Sequence, residues 1–270
     1  MVECVPRSST VGSVFNEGMP EAAEAMPKAA MTPIPRRGRI WVILLLGLAL
    51  FGLGYALVQI STREAGRRVV RVQGISNAQE IFGGVPQEED RLGPSDAPVS
   101  IQVFNDLQCG SCREDFLETI EPLVDSSVRS GQVKLLMRHY SVAESPLELG
   151  FFGAEAAAQQ GYGWQYTYLF FRNQAEAKRF DGTVSRFNKF TSSIAGSIGE
   201  LDVPEWQKYL DEKGGSGGAI AKKLEADEQL GTSLGIRTGI AMVVNGPGGT
   251  RTLQDGPDLS QVERAIEAVS

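Results

Sequence analysis

The 270-residue sequence contains only one histidine and three cysteines. This scarcity excludes a small secreted scaffold held together by several disulfide bonds, because such scaffolds need many cysteine pairs. It also argues against a structural zinc site, which usually takes four cysteine or histidine ligands. Beyond the N-terminal Cys4, only His139 accompanies the pair Cys109 and Cys112. We therefore expect no metal site and no cofactor.

Positive charge is also scarce. The formal net charge is −7, and arginine and lysine form no patch interleaved with aromatic residues. A chain with this negative charge is not complementary to the negatively charged phosphate backbone of nucleic acids, so we expect no nucleic-acid partner. The apolar fraction of 42% is ordinary for a globular protein and is sufficient for a sizeable core.

One long stretch has no charge at all. Residues 40–60, "IWVILLLGLALFGLGYALVQI", are 21 residues without a charged side chain. A helix of that length reaches roughly 31 Å, one hydrocarbon thickness. The run is longer than the apolar region of a cleaved signal peptide, and no clean small-x-small site follows it. We therefore predict a transmembrane helix in contact with the lipid bilayer. Four basic residues flank it on either side and leave its orientation open: Lys28, Arg36, Arg37 and Arg39, then Arg63, Arg67, Arg68 and Arg71.

The rest of the chain divides around this segment. Residues 1–39 are rich in proline, alanine and glutamate and have no lasting period, which predicts a disordered tail. Cys4 in this tail is interpreted as an isolated thiol. Residues 61–79 are polar and carry arginine, which predicts a tether. One folded domain is predicted over residues 80–270.

The pattern inside the folded domain predicts its fold class. "VSIQVF" (99–104) and "QVKLLMRHY" (132–140) are typical of strands, and "CREDFLETIEPLVDSSV" (112–128) has apolar residues at helical spacings. This order predicts a parallel βαβ unit with a right-handed crossover. Helical patterns fill about 145–233, and the end reads as two strands and a closing helix. We predict an α/β protein: a thioredoxin-like fold with a helical insertion between its βαβ and ββα halves, preceded by one transmembrane helix.

The sequence "CGSC" lies at the predicted junction of strand and helix. Unpaired N–H groups and the dipole at a helix N-terminus favour a thiolate, so Cys109 is the candidate reactive thiol. Cys112, one turn further along, is expected to be more buried and to resolve a mixed disulfide. Gly110 and Ser111 place no bulk between the two cysteines.

A metal site and a structural disulfide are the alternative interpretations of this cysteine pair. Ligand count disfavours the first, and the small entropy of a four-residue loop disfavours the second.

Several segments resemble the DsbA-like branch of the thioredoxin-fold disulfide oxidoreductases, and its bacterial membrane-anchored members in particular. These segments are "LGPSDAPVSIQVFNDLQCGSC", "AEAAAQQGYGWQYTYLFFRNQ" and "EADEQLGTSLGIRTGIAMVVNG", within a resemblance that covers roughly residues 80–269. The resemblance implies that Cys109 is the nucleophile and Cys112 the resolving thiol. It also implies an extracytoplasmic domain, a cytoplasmic N-terminus, exported client proteins with thiols or disulfides, and a membrane redox partner for recycling.

Three positions depart from the family pattern. Ile240 stands beside Gly239 where the family has a cis-proline, and a cis bond before a non-proline residue costs about 2.5–4 kcal/mol, so a trans bond is predicted. The dipeptide between the cysteines is Gly-Ser, whereas a histidine there would help to stabilise the thiolate. Val103 occupies the place of an acidic residue often found on the first strand. Asp106 is left as the nearest carboxylate.

The sequence therefore predicts a membrane-anchored, extracytoplasmic thiol–disulfide oxidoreductase. It is expected to make, break or reshuffle disulfides in exported proteins through its CGSC pair, with the direction of the reaction left open. The alternative is a thioredoxin-fold binding or assembly module with weak or no redox turnover, which Ile240 at the cis-proline position favours.

Overall fold

The computed structural model describes residues 47–52, 71–141, 149–177, 179, 184–215, 217–237 and 239–270. The chain forms two units, Met1–Arg67 and Arg68–Ser270. In the first unit, residues 47–52 are helical and carry exposed apolar side chains. Across the described ranges, no helix is both long enough and apolar enough to cross a membrane. The predicted tail and most of the predicted transmembrane segment lie outside those ranges.

The second unit contains a six-stranded sheet and nine helices within the described residues. The sheet has the order β1-β2-β4-β3-β5-β6, in which β3 and β4 are parallel and every other neighbouring pair is antiparallel. The strands are β1 Gln87–Glu88, β2 Arg91–Leu92, β3 Val99–Asn105, β4 Val133–His139, β5 Ile240–Gly246 and β6 Gly249–Leu253. The helices are α1 Ile75–Phe82, α2 Gly110–Leu123, α3 Leu149–Ala158, α4 Gly163–Arg172, α5 Gln174–Ala177, α6 Val184–Ala195, α7 Val203–Lys213, α8 Ala219–Ser233 and α9 Leu259–Val269.

The predicted βαβ unit is confirmed. Strands β3 and β4 run parallel in a register that extends from Val99 opposite Val133 to Asn105 opposite His139. Between them lies α2, which contains Pro122 near its end and continues into a π-helical turn over Val124–Val128. Because both parallel strands end at the same edge of the sheet, the segment after β3 emerges there and leads directly into α2.

The folded unit begins before the expected boundary at residue 80. Helix α1 starts at Ile75 and buries Ala78, Ile81 and Phe82. The Phe82 ring meets Tyr168 of α4 edge-to-face, with ring centroids 5.7 Å apart. Ile75 and Ala78, which the sequence assigned to the end of the tether, therefore contribute to the core: Ala78 is 3% exposed, and Ile75 packs against the core cluster.

Helices α3 to α8 form the insertion between the two halves of the core. Helix α4 is its centre, and five of its aromatic side chains are at most 1% exposed: Trp164, Tyr166, Tyr168, Phe170 and Phe171. Phe171 packs on Phe116 of α2 with ring centroids 4.8 Å apart. The insertion therefore packs directly against the helix that follows the cysteines. Asp202 and Asp258 are the N-caps of α7 and α9.

Candidate active site

The CGSC segment forms the N-terminus of α2. Cys109 is the N-cap residue, with an extended backbone (φ −72°, ψ 125°), and its Sγ accepts a hydrogen bond from the backbone N–H of Cys112 at 3.1 Å. The two cysteines form a disulfide, and their Cα atoms are 5.2 Å apart. The Ser111 Oγ lies 3.4 Å from the Cys109 Sγ. The first cysteine sulfur therefore sits where unpaired N–H groups of the helix favour negative charge.

The two cysteines differ in exposure. Cys109 is partly exposed and is flanked by the exposed residues Gly110 and Ser111, whereas Cys112 is 2% exposed. An incoming thiolate from solvent therefore reaches the sulfur of Cys109 first. The sulfur of Cys112 remains covered and is positioned to leave or to return within the protein.

Asp106 lies under the segment that carries the cysteines. Its side chain is 3% exposed, and its Oδ1 accepts a hydrogen bond from the backbone N–H of Gln108 at 2.8 Å. The carbonyl of Asp106 accepts from the backbone N–H of Cys109 at 3.2 Å. The structure therefore brings the predicted nearby acid into the turn that immediately precedes the disulfide.

The loop before β5 approaches the disulfide through Gly239. A β-carbon built on Gly239 would lie 2.6 Å from the Cys112 Sγ and 3.2 Å from the Cys109 Cβ. The bond between Gly239 and Ile240 is trans, as no peptide bond among the described residues is cis. Ile240 begins β5 opposite Asn105, and its side chain is 2% exposed. Both residues are buried, and Gly239 is the one whose backbone lies against the two cysteines. That this loop faces a client remains a prediction.

Gln174 is a site residue that the sequence analysis missed. Its Nε2 donates to the carbonyl oxygens of Leu107 and Cys109, both at 2.8 Å, and its side chain is 2% exposed. The residue lies in the helical insertion, 65 positions after Cys109. The sequence analysis quoted Gln174 only as the last residue of a segment that resembles the family. No sequence spacing predicts a contact between that segment and the carbonyls before α2.

His139 lies at the end of β4 in a buried charge network. Its Nε2 is 2.9 Å from the Glu155 Oε1, and the Lys223 Nζ is 3.0 Å from the same oxygen. Burial acts to raise the pKa of Glu155, but the hydrogen bond and charge of His139 and the charge of Lys223 outweigh it and lower this pKa to about 2. His139 is thus a buried structural residue in this network. It joins the core strand to helix α3 of the insertion.

Within the described ranges, no group of three or more histidine, cysteine, aspartate or glutamate side chains is arranged to hold a metal ion.

Comparison with known proteins places the geometry in a wider setting. Residues 87–213 match the family model described as Thioredoxin. The structure is similar to oxidised BdbD from Bacillus subtilis, with a TM-score of 0.54 and 18% identity over 68% of this chain and 96% of that chain. The chain has a thioredoxin-like fold. A second solved structure, Wolbachia pipientis α-DsbA1, shares this fold with a TM-score of 0.53 and 12% identity, covering 71% of this chain and 95% of that chain.

The sequence relatives of this thioredoxin-like chain carry a functional description. The chain is 22% identical to a probable disulfide bond formation protein D of Bacillus anthracis. The alignment spans 188 residues and covers 70% of this chain and 80% of that protein. A protein of the same description from Bacillus cereus is 23% identical over 190 residues, covering 70% of this chain and 81% of that protein. Together with the disulfide of the CGSC pair, these similarities indicate a thiol–disulfide oxidoreductase with a DsbA-like form of the thioredoxin-like fold.

Proposed function

We propose that the protein is a membrane-anchored thiol–disulfide oxidoreductase that exchanges disulfides with exported proteins on the extracytoplasmic side. The observation that carries the proposal is the position of Cys109. Its sulfur is partly exposed, caps helix α2 and already accepts the N–H of Cys112 at 3.1 Å. A thiolate at this place keeps that hydrogen bond and gains from the helix dipole.

The exchange proceeds through a mixed disulfide. A client thiolate attacks the Cys109 Sγ, the Cys109–Cys112 bond breaks, and its electron pair leaves on the sulfur of Cys112. A second client thiolate then attacks the client sulfur of the mixed disulfide and releases the Cys109 thiolate. The client loses two electrons and the CGSC pair gains them. In the reverse direction, the Cys109 thiolate attacks a client disulfide and Cys112 resolves the mixed disulfide.

The sequence supports the anchor, and the family resemblance supports the compartment. The uncharged run over residues 40–60 has the length of a single membrane span. We place the N-terminus in the cytoplasm because the resemblance implies an extracytoplasmic domain. Stable disulfides in client proteins persist in oxidising compartments, and a pair that cycles with them needs a partner that restores its redox state. We expect that partner to be a membrane protein, because the anchor holds the domain at the bilayer surface.

Equilibration with a glutathione buffer tests the proposal. The full-length protein in detergent is expected to reach a defined ratio of dithiol to disulfide, and that ratio gives the direction in which it drives its clients. The Cys109→Ser variant is expected to lose exchange with a reduced model protein. Cys112→Ser is expected to accumulate mixed disulfides, and Cys4→Ser serves as the matched control. An ordinary thiol titration together with no exchange against glutathione would sink the proposal.

One observation favours a second candidate, a binding or assembly module. Gly239 and Ile240 form a trans, buried approach to the disulfide in place of the proline turn of the family. On this alternative, the double variant Cys109→Ser, Cys112→Ser still supports function in the host cell. A double variant that behaves like a deletion excludes the alternative.

A further inference from the structure

We propose that Gln174 is a positioning residue that holds the CGSC segment in the geometry at which Cys109 is reactive. The inference rests on the proposed function and adds a residue from the helical insertion to its machinery. Gln174 donates through Nε2 to the carbonyls of Leu107 and Cys109, at 2.8 Å each. These two carbonyls flank the turn that delivers the first cysteine to the start of α2.

The bond to the Cys109 carbonyl controls the orientation of the cysteine itself. At φ −72° and ψ 125°, Cys109 points its Sγ back over the first turn of α2, where the N–H of Cys112 donates to it at 3.1 Å. A carbonyl fixed by Gln174 prevents rotation of the peptide between Cys109 and Gly110. Without the donor, the buried carbonyl of Leu107 loses its amide partner and the carbonyl of Cys109 keeps only the first intrahelical bond of α2, so the segment is free to turn. That turn carries the sulfur away from the N–H groups that stabilise its thiolate.

The amide of Gln174 is itself rigidly held. The preceding residue, Asn173, donates through Nδ2 to Leu169 at 2.7 Å and to Gln73 at 3.0 Å, and its Oδ1 accepts from the backbone N–H of Gln73 at 2.9 Å. The turn between α4 and α5 therefore has fixed neighbours on its other side. Because the turn is fixed, the Gln174 side chain that projects from it can hold the two carbonyl oxygens in fixed positions.

A further contact ties the same turn to α2. The Nε of Arg113, the residue directly after Cys112, donates to the carbonyl of Phe171 at 3.0 Å. The end of α4 and the start of α5 thus hold the active-site helix at its first turn and also hold the segment before it. Gln174 is the member of this set that bonds to the reactive cysteine.

The test compares two substitutions of Gln174 with a matched glutamine in the full-length protein. Gln174→Leu removes the donor, and Gln174→Glu keeps the shape but turns an acceptor toward the two carbonyls. The control is Gln160→Leu, since Gln160 also bonds a backbone carbonyl and a backbone N–H, both of Asp202. The readouts are the thiolate absorbance of the reduced protein against pH and the equilibrium with glutathione.

Both Gln174 variants are expected to raise the pKa of Cys109 and to lower the equilibrium constant for oxidation of glutathione by about tenfold. This is the change expected when the Cys109 thiolate loses roughly one hydrogen bond, here the one from the N–H of Cys112. Gln160→Leu is expected to leave both values unchanged. The proposal is wrong if a folded Gln174 variant shows the same thiolate titration and the same glutathione equilibrium as the wild type. It is also wrong if Gln160→Leu shifts both values by as much as the Gln174 variants do. If Gln174→Leu does not fold, Gln174→Met decides, because it also removes the donor and adds no charge beside Cys109. A wild-type protein without exchange refutes the proposed function, whereas the thiolate titration still tests Gln174 separately.

Discussion

Gly239 and Cys112 lie so close that a β-carbon at residue 239 would stand 2.6 Å from the Cys112 sulfur. Real β-carbons essentially never come so near to another heavy atom. The loop before β5 therefore covers the buried sulfur with bare backbone. This contact makes a glycine a structural requirement of the oxidised state, although nothing in its immediate sequence says so.

We expect Gly239→Ala to destabilise the oxidised protein by about 1–3 kcal/mol, because the added methyl group forces the loop or the disulfide to move. The measurement is urea unfolding of the oxidised protein. Gly199→Ala is the control, since nothing lies within 4 Å of a β-carbon built there. Equal unfolding free energies for the two variants would contradict the close contact.

Asp106→Asn is expected to make the CGSC pair a stronger oxidant. The amide oxygen retains the bond from the N–H of Gln108, and the substitution replaces the buried carboxyl group beside Cys109 by a neutral amide. Removal of a nearby like charge favours the thiolate, and we expect an equilibrium shift of about three- to tenfold. Equilibration with glutathione measures it, with the exposed Asp96→Asn as the control. A shift in the opposite direction would show that the carboxylate does not act on the sulfur by its charge.

Ser111→His is expected to strengthen oxidation by another route. The hydroxyl of Ser111 is already 3.4 Å from the Cys109 sulfur, so a protonated imidazole in its place lies close to the thiolate. We expect a fall in the pKa of Cys109 and a more oxidising pair. Ser111→Asn supplies an uncharged side chain of similar length, and the glutathione equilibrium compares the two. If Ser111→His and Ser111→Asn give the same glutathione equilibrium, a positive charge at residue 111 does not affect the redox equilibrium of the CGSC pair.

Glu155 gives the protein a pH dependence of stability at acid pH. Because its pKa is about 2 in the folded protein against 4.5 for the ordinary group, the ionised form stabilises the fold. This contribution is complete above pH 4.5 and is lost as the pH falls toward 2, and its size is on the order of 3 kcal/mol.

Urea unfolding at a series of pH values measures this contribution. Glu155→Gln is expected to lower stability at neutral pH and to flatten the slope below pH 4.5. The control Glu267→Gln changes an exposed carboxyl of α9 and is expected to retain the wild-type slope. Parallel curves for the wild type and Glu155→Gln would show that the network with His139 and Lys223 does not hold the proton off Glu155.

Local patterns predicted the elements of the core. The strands at β3 and β4 follow from short β-prone runs, and the helix of the cysteines follows from its apolar spacing. The N-cap at Asp258 was visible because an aspartate directly precedes a periodic segment, and the structure adds a full capping box with Gln261. Each of these features depends on residues that are close together in the chain.

Contacts across long separations were not predictable in the same way. Helix α1 is short, and its sequence alone does not show that its apolar residues are buried. They are buried because α4 packs against them, as Tyr168 does against Phe82. The nearness of Gly239 to Cys112 depends on how β5 pairs with β3. Likewise, a glutamine at position 174 carries no mark of the carbonyls it binds. Tertiary packing alone brings such groups together.

The hydrogen bond from Gln174 to Cys109 also orders events during synthesis. The cysteine leaves the ribosome 65 residues before its partner, which at ordinary elongation rates is roughly 3 to 13 seconds. Throughout this interval the nascent chain carries its thiol pair without the amide that fixes the first cysteine. On our proposal for Gln174, the CGSC segment of the nascent chain therefore reaches its final geometry only after the helical insertion has folded against it.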